Sequence, residues 1–175
     1  MAHFPLFMDI NGKLVYLVGN DLKKLKILQS FGAVVVQLSD LTAEDLEKNP
    51  ALVVLAQDGP RTAAQLCLQR NIPINAVDDT ENCSFFFPSI LRRGDTTIAI
   101  SSGGKAPAAS RALRERLEAQ LPNQLEQILT WLGELTRQLR EEIPDYDTRA
   151  ALLSRITHMA FEKNRPLTQE EIQQL

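Results

Sequence analysis

The stretch KLVYLVGNDLKKLKILQSFGAVVVQL, residues 13–38, decides the fold of the first half of this chain. It begins with a short β-rich run, KLVYLV, and the residues GND then mark a turn. Apolar residues next recur at the spacing of an amphipathic helix, and Gly32 can end that helix before AVVVQL begins a second strand. We therefore predict a strand, a helix and a second, parallel strand.

The same alternation continues up to residue 78. LTAEDLEK predicts a short helix, and the continuous apolar run ALVVLA is typical of a buried parallel strand. GPRTAAQLCLQRN predicts another helix, with Pro60 near its first turn, and PINAVD predicts a further strand. Strands that alternate with helices indicate an α/β protein whose parallel sheet is covered on both faces, with ligands at the carboxyl ends of the strands.

The pattern changes after residue 84. CSFFFPSILRRGDTTIAIS contains two apolar runs around the turn RRGD, which predicts strands that pair outside the first sheet. Helical periodicity then covers 107–121, 123–142 and a third segment through 152–159, and TQEE at 168–171 predicts the capping box of a last short helix. Strongly amphipathic helices in a chain of this size are also candidates for a subunit interface.

Composition excludes several classes of function. The formal net charge of −3 argues against a general nucleic-acid binder, which needs a broad basic surface. Cys67 and Cys83 are too far apart for a CxxC motif and have no histidine or cysteine companions, so we expect no metal site. The sequence shows no leader and no run long enough for a membrane span, and we expect a soluble, unprocessed protein of the reducing cytoplasm.

Two turns are candidate sites. VGND lies where a dinucleotide fingerprint would lie, but it has a single glycine, and Asp21 places a carboxylate at the helix end that a pyrophosphate would use. The alternative is that Asn20 or Asp21 simply caps the helix. Asp78 follows the strand INAV, with Asp79 beside it, and is either a general base at the sheet edge or a turn-forming residue.

The segment SSGGKAPAASR, residues 101–111, predicts a site for carboxylates or phosphates. Gly103 and Gly104 permit a nest of backbone N–H donors, and Pro107 fits the first turn of the helix that follows. The cations around this segment are Lys105, Arg111 and Arg114, with Arg92 and Arg93 in the preceding turn. The alternative is a well-capped helix with a solvated basic face.

Three motifs follow one another as V-D, S-F-x-x-P-S and S-S-G-G-x-x-P, at residues 77–78, 84–89 and 101–107. Together with the opening FPLFMDINGKLVYLVG and the helical tail, they resemble the bifunctional siroheme synthase family, the precorrin-2 dehydrogenases and sirohydrochlorin ferrochelatases. The likeness covers nearly the whole chain, apart from gaps in the first half.

The resemblance implies the architecture as well. It implies a reduced Rossmann-like, NAD-binding-type domain over residues 1–84, a central dimerisation region over 85–121 and a helical C-terminal domain over 122–175. The protein is expected to be a cytoplasmic homodimer that binds neither nucleic acid nor membrane.

The family's substrates, precorrin-2 and sirohydrochlorin, are tetrapyrroles with a rim of carboxylates, so the predicted anion site has a suitable partner. On this resemblance Asp78 matches the catalytic aspartate, and Ser102 matches a serine that lines the active site. The implied substrate-binding residues are Ser101, Ser102, Gly103, Gly104, Lys105 and Arg111. The implied NAD-binding residues are Gly19, Asn20, Asp21, Gln57 and Asp58.

The departures from the family concern the nucleotide half. Family members have three successive glycines after the first strand, where this chain has Gly19, Asn20 and Asp21 and a shorter turn.

We predict NAD-dependent oxidation of precorrin-2 to sirohydrochlorin, with insertion of Fe2+ or Co2+ as an added activity. The alternatives are an NAD-independent sirohydrochlorin chelatase and a non-catalytic tetrapyrrole-binding protein.

Overall fold

A computed structural model describes residues 4–174 of the chain. The first half forms a four-stranded parallel sheet in the order β2-β1-β3-β4, which confirms the predicted α/β fold. The strands are β1 Leu14–Val18, β2 Val34–Leu38, β3 Leu52–Leu55 and β4 Ile74–Ala76. Because β2 and β3 lie on opposite sides of β1, the strand order reverses at β1, where open parallel sheets bind ligands.

Three helices connect these strands, as predicted: α1 Leu22–Ser30, α2 Ala43–Glu47 and α3 Thr62–Gln69. Asp21 caps α1, and Thr42 forms a capping box with Asp45 at the start of α2. Side chains of β1 alternate between two buried clusters, with Tyr16 and Val18 in one and Val15 and Leu17 in the other. The sheet is therefore covered on both faces around β1.

The rest of the chain begins with an antiparallel hairpin and continues with four helices. The hairpin is the pair of strands predicted outside the first sheet. Its strands are β5 Ser89–Arg93 and β6 Thr96–Ile100, and the helices are α4 Pro107–Gln120, α5 Leu125–Glu142, α6 Tyr146–Lys163 and α7 Gln169–Gln173. Among residues 4–174, no helix combines the length and the apolar character needed to cross a membrane.

The chain divides into two compact units. One comprises the residues up to Pro88 together with Ser101–Pro107, and the other comprises Ser89–Ile100 together with the residues from Ala108 onward. The SSGGK segment therefore belongs to the unit that contains the parallel sheet. The division into three regions at residues 84 and 121 stays a prediction.

The second unit has a helical core of its own. Ile128, Ile156 and Ala160 are fully buried where α5 packs on α6. The predicted capping box of α7 is present at Thr168 and Glu171. The Arg165 guanidinium and the Lys163 ammonium bind the Glu171 carboxylate and hold its pKa well below the usual range, so this link between α6 and α7 persists at neutral pH.

Candidate functional site

The turn after β1 is filled by a carboxylate from the neighbouring strand. Asp58, three residues beyond β3, accepts a hydrogen bond at 2.9 Å from the backbone N–H of Asn20. Gly19 has a φ of +89°, and a Cβ at that position would lie 2.3 Å from Asp58 Oδ1. Gly19 is therefore needed both for its left-handed backbone and for the close approach of Asp58.

Asp21 occupies a second donor at the same helix end. Its Oδ1 accepts from the backbone N–H of Lys24 at 3.0 Å, which confirms the alternative that this residue caps α1. The location still fits a dinucleotide, because a helix N-terminus points to the site where the strand order reverses. Two of the donors that a pyrophosphate would use are nevertheless held by carboxylates, which also repel it.

The candidate catalytic residue lies at the end of β4. Asp78 has a φ of +59°, a left-handed conformation that aspartate and asparagine adopt more readily than other side chains with a Cβ. It lines a small pocket with Gln57, Arg61 and Asp79. Asp79 forms an ion pair with Arg61 at 3.7 Å and accepts from Asn82 Nδ2 at 2.8 Å. The structure thus brings the predicted residues Gln57 and Asp78 together at the sheet edge.

The loop that carries Asp78 is closed at its base by three polar side chains, Asn75, Cys83 and Ser84, which we call the polar clamp. Ser84 Oγ accepts from the backbone N–H of Ile74 at 2.8 Å. The Cys83 Sγ accepts from Ala76 N at 3.1 Å and donates to Ala76 O at 3.2 Å. Burial raises the pKa of the Cys83 thiol, so it keeps the proton that it donates.

A lysine from α1 completes this arrangement. Lys24 Nζ donates to Asn75 Oδ1 at 2.9 Å and lies 5.0 Å from the centre of the Phe87 ring. Burial lowers the pKa of Lys24, although the negative charges of Asp21 and Asp78 oppose that shift. Sequence reasoning missed Lys24 and the polar clamp, although a polar asparagine within the buried strand INA was a usable signal.

The SSGGK segment lies against the Asp78 loop within the same unit. Gly103 and Gly104 have φ values of +62° and +77°. A Cβ on Gly104 would lie 2.8 Å from Thr80 Cγ2 and 3.2 Å from Phe86 Cε1. Glycine is therefore required here by both conformation and space, and the contact with Thr80 holds the segment close to Asp78 in the fold.

The serines of this segment accept hydrogen bonds from backbone N–H groups at the predicted anion site. Ser101 Oγ accepts from Gly103 N at 3.1 Å, and Ser102 Oγ accepts from Ala106 N at 3.0 Å. The predicted nest is therefore partly self-satisfied. Each hydroxyl still has its own hydrogen to donate, and the exposed Lys105 adds a positive charge. The chemistry that remains suits a carboxylate.

Two of the predicted cations are paired within the second unit. Arg93 lies 2.7 Å from the Glu118 carboxylate, and Arg114 binds the other oxygen of the same group. Their charges therefore link β5 with α4, and their part in the anion site stays a prediction. Arg111, on α4, also belongs to the second unit, and its place in the substrate set stays a prediction.

Two family models match successive parts of this chain. Residues 11–89 match the family model described as putative NAD(P)-binding, and residues 93–120 match the model of the sirohaem biosynthesis protein central region. Among solved structures, SirC, a precorrin-2 dehydrogenase, has the same fold, with a TM-score of 0.68 and 16% identity over 98% of each chain.

Curated relatives are similar over most of this chain. Siroheme synthase of Tolumonas auensis is 34% identical over 173 residues, which cover 85% of this chain and 37% of the relative. Siroheme synthase 2 of Yersinia enterocolitica is 34% identical over 167 residues, which cover 81% of this chain and 35% of the relative. The chain thus spans little more than a third of the length of these relatives. It belongs to the siroheme synthase family, in the part of that family that pairs an NAD(P)-binding-type domain with the sirohaem-specific central region.

Proposed function

We propose that this chain is an enzyme of siroheme biosynthesis that oxidises precorrin-2 to sirohydrochlorin with NAD as acceptor. The observation that carries the proposal is the position of Asp78, in a left-handed turn at the carboxyl edge of the sheet and two residues before Thr80, which lies against Gly104 of the SSGGK segment. Membership of the siroheme synthase family and the shared fold of a precorrin-2 dehydrogenase support it.

In this reaction the macrocycle loses a hydride and a proton. The Asp78 carboxylate is the group placed to take the proton, because it lines the pocket at the edge of the sheet. NAD, when bound, supplies the acceptor for the hydride. The residues that would hold it are Gly19, Asn20 and Asp21 at the start of α1 and Gln57 and Asp58 after β3, with part of their binding capacity already used by the hydrogen bond of Asp58.

A second candidate function is insertion of Fe2+ or Co2+ into sirohydrochlorin without NAD. The observation that favours it is the pair of carboxylates, Asp21 and Asp58, that accept hydrogen bonds from two backbone N–H groups at the nucleotide turn. In metal insertion the pyrrole nitrogens lose their protons, and Asp78 is the base that would accept them. One carboxylate thereby serves either reaction.

Assays of the purified protein separate these functions. Conversion of precorrin-2 that requires NAD+ supports the dehydrogenase, and metal insertion into sirohydrochlorin without nucleotide supports the chelatase. Tetrapyrrole binding with neither conversion would support the third hypothesis, a non-catalytic carrier, and would overturn both enzymatic proposals.

We expect the rim carboxylates of the tetrapyrrole to bind Lys105 and the hydroxyls of Ser101 and Ser102. Lys105→Ala should then weaken tetrapyrrole binding by about 1–3 kcal/mol, because one charge-assisted contact is lost. The loss should be larger at low salt, where screening is weaker. Absorbance titration at two salt concentrations measures this effect, with the exposed Lys26→Ala as control. Equal affinities of the two variants would contradict the assignment.

A homodimer and a cytoplasmic location complete the proposal. Leu113 and Leu117 are 51% and 38% exposed on α4, an apolar pair that an isologous contact would cover. We expect light scattering to report a dimer at micromolar concentration, and Leu113→Asp with Leu117→Asp to give a monomer. Leu68→Asp, on an α3 side chain that is also 38% exposed, is the control and should stay dimeric. A monomeric wild-type protein would contradict this prediction.

A further inference from the structure

We propose that Lys24 is a positioning residue for Asp78, which it reaches through the buried side chain of Asn75. This inference rests on the proposed role of Asp78 as the base. The polar clamp ties the two ends of the Asp78 loop together, and Lys24 is the side chain of α1 that binds this clamp. The clamp therefore connects the first helix of the sheet unit with the turn that bears the reacting carboxylate.

Asn75 can hold that turn only while both ends of its amide have partners. Its side chain is 6% exposed, its Oδ1 accepts from Lys24 Nζ, and its Nδ2 donates to Phe85 O at 3.0 Å. Without Lys24, a buried amide oxygen would lose its donor, which is costly unless the amide reorients. Reorientation would break the bond to Phe85 and loosen the segment that follows the Asp78 loop.

The charge of Lys24 gives it a second effect on the site. Its ammonium interacts electrostatically with the carboxylates of Asp21 at the cap of α1 and Asp78 at the end of β4, and Lys23 is the neighbouring cation. Burial makes a lysine costly here, but Asn75 and the face of the Phe87 ring partly compensate that cost. An uncharged side chain of similar length would leave the two carboxylates without this counter-charge.

The test compares Lys24→Met with Lys24→Arg and with Lys26→Met, a control on an exposed side chain of the same helix. We expect Lys24→Met to lower kcat about tenfold to a hundredfold, the range typical of a misplaced reacting group. Its tetrapyrrole dissociation constant should stay within about twofold of wild type, because Ser101 and Ser102, which are proposed to bind the tetrapyrrole, are held by hydrogen bonds within their own segment. Lys24→Arg, which keeps the charge and the donors, should recover part of the rate, and Lys26→Met should match wild type.

Thermal unfolding of each variant separates positioning from a general loss of stability. A folded Lys24→Met protein with unchanged binding and reduced kcat supports the inference. A wild-type kcat in Lys24→Met overturns the inference while the proposed function stands. So does a rate loss that is equal in Lys24→Arg and Lys24→Met and is explained by a smaller amount of folded protein. A wild-type protein that converts neither precorrin-2 nor sirohydrochlorin overturns the proposed function and this inference together.

Discussion

Asp78→Asn is expected to abolish turnover and to leave tetrapyrrole affinity nearly unchanged. The amide keeps the shape of the carboxylate but cannot accept the proton that the macrocycle loses. Asparagine also tolerates the φ of +59° at this position, so the turn should keep its conformation. The measurement pairs steady-state rates with equilibrium titration of the tetrapyrrole, because a residue that acts only on the chemical step lowers kcat without raising the dissociation constant.

Asp95→Asn is a matched control, since it removes an exposed carboxylate in the turn between β5 and β6. It should retain the wild-type rate. Full activity of Asp78→Asn would remove Asp78 from the mechanism, and a parallel loss of rate and affinity would make it a binding residue. Either outcome would refute the assignment of Asp78 as the base.

NAD+ should bind at least about tenfold more weakly than it does to a relative with three glycines in the turn after β1. Asp58 and Asp21 hold two backbone donors at the start of α1, and the loss of charge-assisted hydrogen bonds costs roughly 1.5–3 kcal/mol each. Calorimetric titration of NAD+ measures the affinity. A dissociation constant in the micromolar range would contradict the prediction.

Asp58→Asn tests the cause of that weakness. The variant removes one of the two negative charges at the turn and keeps a side chain of the same size, so NAD+ should bind more tightly than it does to wild type. Asp95→Asn again serves as control and should leave the affinity unchanged. If Asp58→Asn binds NAD+ no better than wild type does, the carboxylate is not the obstacle.

The fold could be predicted because it depends on local patterns. The run KLVYLV predicts a strand, the helical spacing after Asp21 predicts a helix, and Gly32 predicts where that helix ends. The order of these elements along the chain is consistent with a parallel sheet. The capping box of α7 was predictable for the same reason, since its two partners are three residues apart. The role of Asp78 was predicted from the resemblance to the family, because hydrophobic periodicity indicates secondary structure and not catalytic roles.

The details of the site depend on contacts between residues that are distant in sequence. The bond from Asn20 to Asp58 spans 38 residues, and the bond from Lys24 to Asn75 spans 51. No spacing rule predicts such pairs, because they arise only when the strands and helices of the sheet unit pack together. The pairing of Arg114 with Glu118 is different, since four residues on a helix separate the two, and the sequence did contain that signal.

The most direct test of the proposed enzymatic function is whether purified wild-type protein converts a tetrapyrrole over many turnovers. Absorbance is followed with a large molar excess of precorrin-2 and NAD+, and in parallel with sirohydrochlorin and Co2+. We expect many equivalents per protein to be converted in at least one of the two reactions, and we expect Asp78→Asn to abolish this conversion. Binding of about one equivalent without conversion in either reaction would contradict it.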